Sequence, residues 1–248
     1  MKQIASILAC LSLLLVLAAC QEETPVSVAT DAAAGLAKAV ELPGVVPPGS
    51  AVAGKSYAEW SAAWWQWLIS IPIAENPGLD TDGSLVALNQ SGHVWFLAPN
   101  YGMGQVDVRY ATIPPGKMLF IDIAAFVGSE VIGDPADPDE LRAVLSASVD
   151  AIVDVSFTVD GRPLEDLAPY RIQSPLFPLA FPENNVFGVE PGTYYPAAAE
   201  GYYAMLAPLP VGEHTIHIRV DFGEVFGVSD VTFHLTVAPA GRGGRPRT

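Results

Sequence analysis

Ser56-Tyr57-Ala58-Glu59-Trp60-Ser61-Ala62-Ala63-Trp64-Trp65-Gln66-Trp67-Leu68-Ile69-Ser70-Ile71-Pro72 holds four of the chain's five tryptophans. At 100° per residue, Tyr57, Trp60, Trp64, Trp67 and Ile71 fall within roughly 80° of one another on a helical wheel. Leu68 flanks that stripe, while Trp65 and Ile69 lie well round towards the far side. Only a narrow arc of Glu59, Ala62, Ala63, Gln66 and Ser70 is polar or small. Both ends are marked. Ser56 and Glu59 have the spacing of a capping box, in which each side chain satisfies a free backbone N–H. Pro72 stops the helix, because it lacks a donor and disfavours helical geometry at Ile71. A helix apolar around so much of its surface must be covered on most sides. The stretch therefore predicts an aromatic helix plugging a core built mostly from strands.

The rest of the chain supplies those strands. Residues 94–98, 106–112 and 117–126 read as strands, with Pro114-Pro115-Gly116 turning between the last two. Asp137 opens a second helix as its cap, with Pro138 first and Glu140 third; Leu141, Val144, Leu145, Val149 and Ile152 form its apolar face. Residues 153–159 alternate, with Val153, Val155, Phe157 and Val159 inward, and Asp160-Gly161 is a hairpin turn signal. Residues 170–181, broken by Pro175 and Pro178, predict an edge strand, and 182–201 an irregular loop. Residues 202–206, 214–222 and 231–237 complete the set. Matching the apolar faces of the last two places His217 opposite or diagonal to His234 on the solvent side, an adjacency expected without metal. Short strands, abundant turn residues and two helices predict a mainly β single domain, a β-sandwich or jelly roll.

The N-terminus reads as an address. Lys2 is followed by an apolar run to Val16 and by Leu17-Ala18-Ala19-Cys20. A run this short, ending in small residues, is a secretory signal rather than a stable span. Leu-Ala-Ala-Cys in that position resembles a bacterial lipobox, which implies cleavage before Cys20 and acylation of its thiol and new amine. Gln21 at the next position resembles lipoproteins sent to the outer membrane. The expected organisation is a signal peptide at 1–19, a lipid-anchored linker at 20–51, a β-sandwich domain at 52–239 and a disordered basic tail at 240–248. The expected location is the cell envelope, in the outer membrane, facing the periplasm or the cell surface.

Charge and cysteine count narrow the chemistry. With 12 basic and 27 acidic residues the net charge is −15, a balance that repels nucleic acid and anionic lipid as partners of the folded body. Cys10 leaves with the signal and Cys20 carries lipid, so neither a disulfide nor thiol catalysis is expected.

Several blocks together resemble an uncharacterised family of bacterial secreted proteins. They are Tyr57, Glu59 and Trp60, Trp64 to Trp67, Ile71-Pro72, Asn76-Pro77, Asp80, Gly83, and Gln90 to Leu97. Pro115-Gly116-Lys117, Gly201-Tyr202-Tyr203, Leu209 and Gly212 to Ile216 extend the resemblance to about Val237. The family pattern also carries two cysteines, where this chain has Val86-Ala87 and Ala111. The resemblance implies a fold and a secreted setting, and no activity.

No Ser-His-Asp order, nucleophile elbow, His-Glu-x-x-His or phosphate loop is present, and no cofactor or metal is expected. The candidate ligand surface is Trp65, Glu59, Gln66, His93 and the Asp80/Asp82 loop. Trp60, Trp64 and Trp67 are read as core and Trp65 as ligand-facing. Asp80-Thr81-Asp82-Gly83 begins like a calcium loop, but Gly92 stands where the bidentate Glu belongs, so it reads as a turn. Asp122, among apolar residues, is either a buried acid of raised pKa or a strand-end acceptor of backbone N–H bonds, the second being preferred. Together these predict an anchored extracytoplasmic module binding a glycan or other envelope component. The rivals are a polysaccharide hydrolase using two of Glu59, Asp80, Asp82 and Asp122, and an envelope scaffold with protein partners.

Overall fold

In the computed structural model, which describes residues 44–101, 104–224 and 226–239, the aromatic helix α1 (Tyr57–Ile69) is capped as its sequence requires. Ser56 Oγ accepts the Glu59 N–H at 3.3 Å, and Glu59 Oε2 accepts the Ser56 N–H at 2.8 Å. The expected signal peptide, Cys20 and the basic tail lie outside the described residues.

Among the described residues, ten strands form two mixed sheets of five. They are β1 (Val94–Leu97), β2 (Val106–Ile113), β3 (Met118–Ser129), β4 (Asp154–Val159), β5 (Arg162–Pro163), β6 (Arg171–Gln173), β7 (Phe177–Phe181), β8 (Gly192–Leu206), β9 (Gly212–Asp221) and β10 (Val228–Val237). The first sheet runs β1-β3-β8-β6, with β7 also pairing β8; the second runs β2-β10-β9-β4-β5. β1 lies parallel to β3 and β2 parallel to β10, and the other pairs are antiparallel. The chain is thus a mainly β, sandwich-like single domain. Leu119, Ile121 and Ile123 of the first sheet share one buried core with Phe157, Ile216, Ile218, Val231, Phe233 and Leu235 of the second. α1 covers the side of the first sheet that carries Phe96, Phe120 and Tyr203, with Trp60 meeting Phe96 edge-on at 6.0 Å. The second helix, α2 (Pro138–Asp150), is capped by Asp137 and buries Leu141 and Leu145 against Ala198.

Five expectations change. Residues 192–201, expected in a loop, are the first two-thirds of the longest strand. Ala197, Ala198 and Ala199 are buried there, and Tyr195-Pro196 falls at the register irregularity where Phe177 and Leu179 pass β8. A proline that cannot donate is tolerated at such a break. The single edge strand expected at 170–181 is two, β6 and β7, each pairing only with β8. Val144, placed on the apolar face of α2, is 42% exposed, and Val153, placed inward, precedes β4 and is 67% exposed. Residues 44–46, in the stretch read as a tether, run beside the end of β8: Val45 bridges Leu206, and Val46 N–H donates to Met205 O at 2.8 Å. Next to Asp122, where the β3–β8 register shifts, a Cβ on Gly201 would stand 2.3 Å from Ala124 O, so only glycine permits the approach.

Candidate functional site

Every indole N–H of α1 is committed to the protein. Trp60 donates to Val52 O (2.9 Å), Trp64 to Leu97 O (3.0 Å), Trp65 to Tyr203 Oη (2.8 Å) and Trp67 to Leu88 O (3.2 Å). Trp65, expected to face a ligand, is 5% exposed and packs edge-on against Trp64 at 4.9 Å. Its side of the helix is closed by β8. The other expected residues are scattered. Glu59 is exposed at the helix start, its carboxyl held below the usual range by the Ser56 N–H and hydroxyl. Gln66 donates to Pro178 O at 3.1 Å, tying α1 to β7. His93 is exposed just before β1, its carbonyl accepting the Met118 N–H at 3.1 Å.

The Asp80/Asp82 loop is a turn that finishes a sheet edge. Asp80 Oδ1 accepts the Asp82 and Gly83 N–H groups at 3.1 and 3.0 Å, and Oδ2 accepts Leu85 N–H at 2.9 Å. These are backbone bonds of an Asx turn, and they occupy both oxygens. Asp82 Oδ1 accepts the Ser84 N–H at 2.9 Å, which holds that exposed carboxyl below its ordinary range. Asp82 O in turn accepts the Tyr110 N–H at 2.8 Å. Gly83 sits at φ +95° against β2, where a Cβ would come within 2.3 Å of Tyr110 O.

Asp122 is not a strand-end acceptor. It lies within β3, 4% exposed, and its Oδ1 has no hydrogen-bond partner. Burial pushes its pKa well above the carboxylate range. The phenols of Tyr203 and Tyr101 are raised by burial as well, with Asp122 adding to both shifts. Tyr101 donates to Asn76 Oδ1 at 3.1 Å. Asp122 and Tyr203 are buried, Tyr203 under Trp65 of α1, while Tyr101 is half-buried.

The exposed chemistry is on the outer face of the second sheet, and it begins with an inversion in β2. There the charged residues Asp107 and Arg109 point inward and Val106, Val108 and Tyr110 outward, at 74%, 44% and 65% exposure. Arg109 is completely buried. It donates to Pro77 O (3.0 Å), Ala98 O (2.7 Å) and Asp107 Oδ2 (3.1 Å), and its guanidinium lies 5.5 Å from the Phe233 ring centre. Asn100 donates to the same Asp107 oxygen at 2.8 Å and accepts from Ser229 Oγ at 2.6 Å. This network gives the ion pair directed hydrogen bonds, as burying charge requires, and leaves Arg109 Nε without a partner.

With Asp107 and Arg109 turned in, Tyr110 is turned out beside His234, its partner across β2 and β10. The two rings stack at 5.0 Å and 23°. In the next cross-strand row stand Thr112, Thr236 and Glu213. Together they line a shallow open depression of about 310 Å³, near the lower end of ligand-site volumes. Along the same face His217 stands opposite Thr232 and diagonal to His234, with its Nε2 2.9 Å from Asp230 Oδ1. Sequence reading passed over Tyr110. The signal present was Asp107-x-Arg109, two opposite charges on one face of a strand, which can pair inside and reverse the apparent alternation.

Among the described residues no three or more His, Cys, Asp or Glu side chains are grouped to hold a metal ion, and no helix is long and apolar enough to cross a membrane. No family model matches the chain, and no curated protein matches it.

Proposed function

We propose that this protein is an extracytoplasmic glycan-binding module, held at the cell envelope through Cys20, with its ligand on the outer face of the second sheet. The observation that supports this most is the stacked Tyr110–His234 pair, with Tyr110 exposed and His234 half-buried beside a row of hydroxyls and one carboxylate. A sugar ring offers an apolar face of C–H groups, which packs against an aromatic wall, and a rim of hydroxyls, which needs acceptors and donors beside that wall. Tyr110 is also fixed in place. Its backbone is bonded by Asp82 on one side, and Arg109 next to it is anchored beneath. Preorganisation of this kind lowers the ordering cost of binding. A hydrolase reading finds less support, because Glu59 is committed to its cap, Asp80 to backbone N–H groups, and Asp122 is enclosed.

One observation favours a second reading. Val106 and Val108 continue outward from Tyr110 along an edge strand, the arrangement that adds a strand from a protein partner. The first reading is tested by titrating the chain with a panel of oligosaccharides. Tyr110→Ala should weaken binding at least tenfold and leave the melting temperature unchanged, since the ring is mostly exposed. Unaltered affinity removes the platform from the site; a protein ligand lost on Val108→Lys would favour the second reading.

A further inference from the structure

Among the residues lining the depression, one, Glu213, is a carboxylate. Glu213 is exposed at the start of β9, opposite Thr236. Both of its Oε atoms stand 2.9 Å from Thr236 Oγ1. One hydroxyl donates a single proton, so most of the acceptor capacity of the carboxylate is left for a ligand. Adjacent hydroxyls of a sugar, or an amino substituent, can donate to such a group in a charge-assisted bond. A uronate cannot. It brings a second anion to a carboxylate on a chain of net charge −15. The guanidinium of Arg219, on the same strand, stands three cross-strand rows away and faces Asp230 and Asp154 at 3.8 and 4.0 Å. It is therefore engaged elsewhere and offers the depression no counter-charge.

Resting on the glycan-binding reading, we propose that Glu213 is the specificity-determining residue of the platform and that its ligand is an uncharged or amino-bearing glycan. The test uses the full chain at low ionic strength with three probes: neutral gluco-oligosaccharides, chitosan oligomers and oligogalacturonates of equal length. Wild type should prefer the neutral or amino probe to the uronate by at least tenfold. Glu213→Gln, which keeps shape and removes charge, should narrow that gap at least tenfold. A gap unchanged to within about twofold overturns the assignment of Glu213. If Tyr110→Ala still abolishes binding in that case, the platform reading stands without it. Tighter binding of the uronate by wild type also overturns the proposal, and binding of none of the three overturns both.

Discussion

Asp122 is a carboxyl that folding takes out of water while leaving Oδ1 without a hydrogen bond. Its pKa is raised by burial, whereas in the unfolded chain it titrates near the ordinary value of about 3.9. Between those two values the native state holds a proton that the unfolded state has released. The associated stability is therefore complete below the unfolded pKa and is lost as pH rises through the folded one. Asp122→Asn cannot ionise. Its melting temperature should gain on wild type as pH rises above the ordinary carboxyl value, and a difference independent of pH would mean that Asp122 titrates normally. The burial of this residue was only half legible, because apolar neighbours on both sides show enclosure but not whether backbone donors are in reach. Trp65 shows the same limit. The helical wheel gave its angle, but the group that covers it, Tyr203, is 138 residues away in sequence.

At the scale of elements, what was legible was local. Both helix caps, the Asp160-Gly161 turn and the β9–β10 register follow from residues within one turn or one hairpin of each other. β8 was not legible along most of its length. Its Ala-rich, proline-bearing first two-thirds form a strand only because β3 on one flank and β7 on the other pair with it. β2 was found but its faces were not assigned, since the inward turn of Asp107 and Arg109 depends on acceptors at Pro77 and Ala98. This inversion makes a quantitative prediction. Arg109→Met strands the Asp107 charge in the core and should cost about 3–5 kcal/mol. Combining it with Asp107→Leu removes the stranded charge, so the double variant should be the more stable of the two in urea unfolding. Additive losses would show that the two charges are not coupled.

For the whole molecule, the class was written in the spacing of short strands and turns, while the division into two mixed sheets required the structure. The candidate surface moved with it. The sequence drew attention to the tryptophan helix, and in the fold that helix is wall rather than window, with its indoles buried or bonded to backbone. The surface left open is the outer side of the second sheet, where the inverted β2 displays Tyr110 beside His234. The most direct test follows amide chemical shifts in ¹⁵N-labelled protein during titration with the tightest-binding oligosaccharide of the panel. The expected result is a contiguous set of shifts at Tyr110, Thr112, Glu213, His234 and Thr236, with Glu59, Trp65 and His93 unmoved. Shifts gathered at the start of α1 and at His93, with β2 and β10 silent, would contradict the assignment of the site to the second sheet.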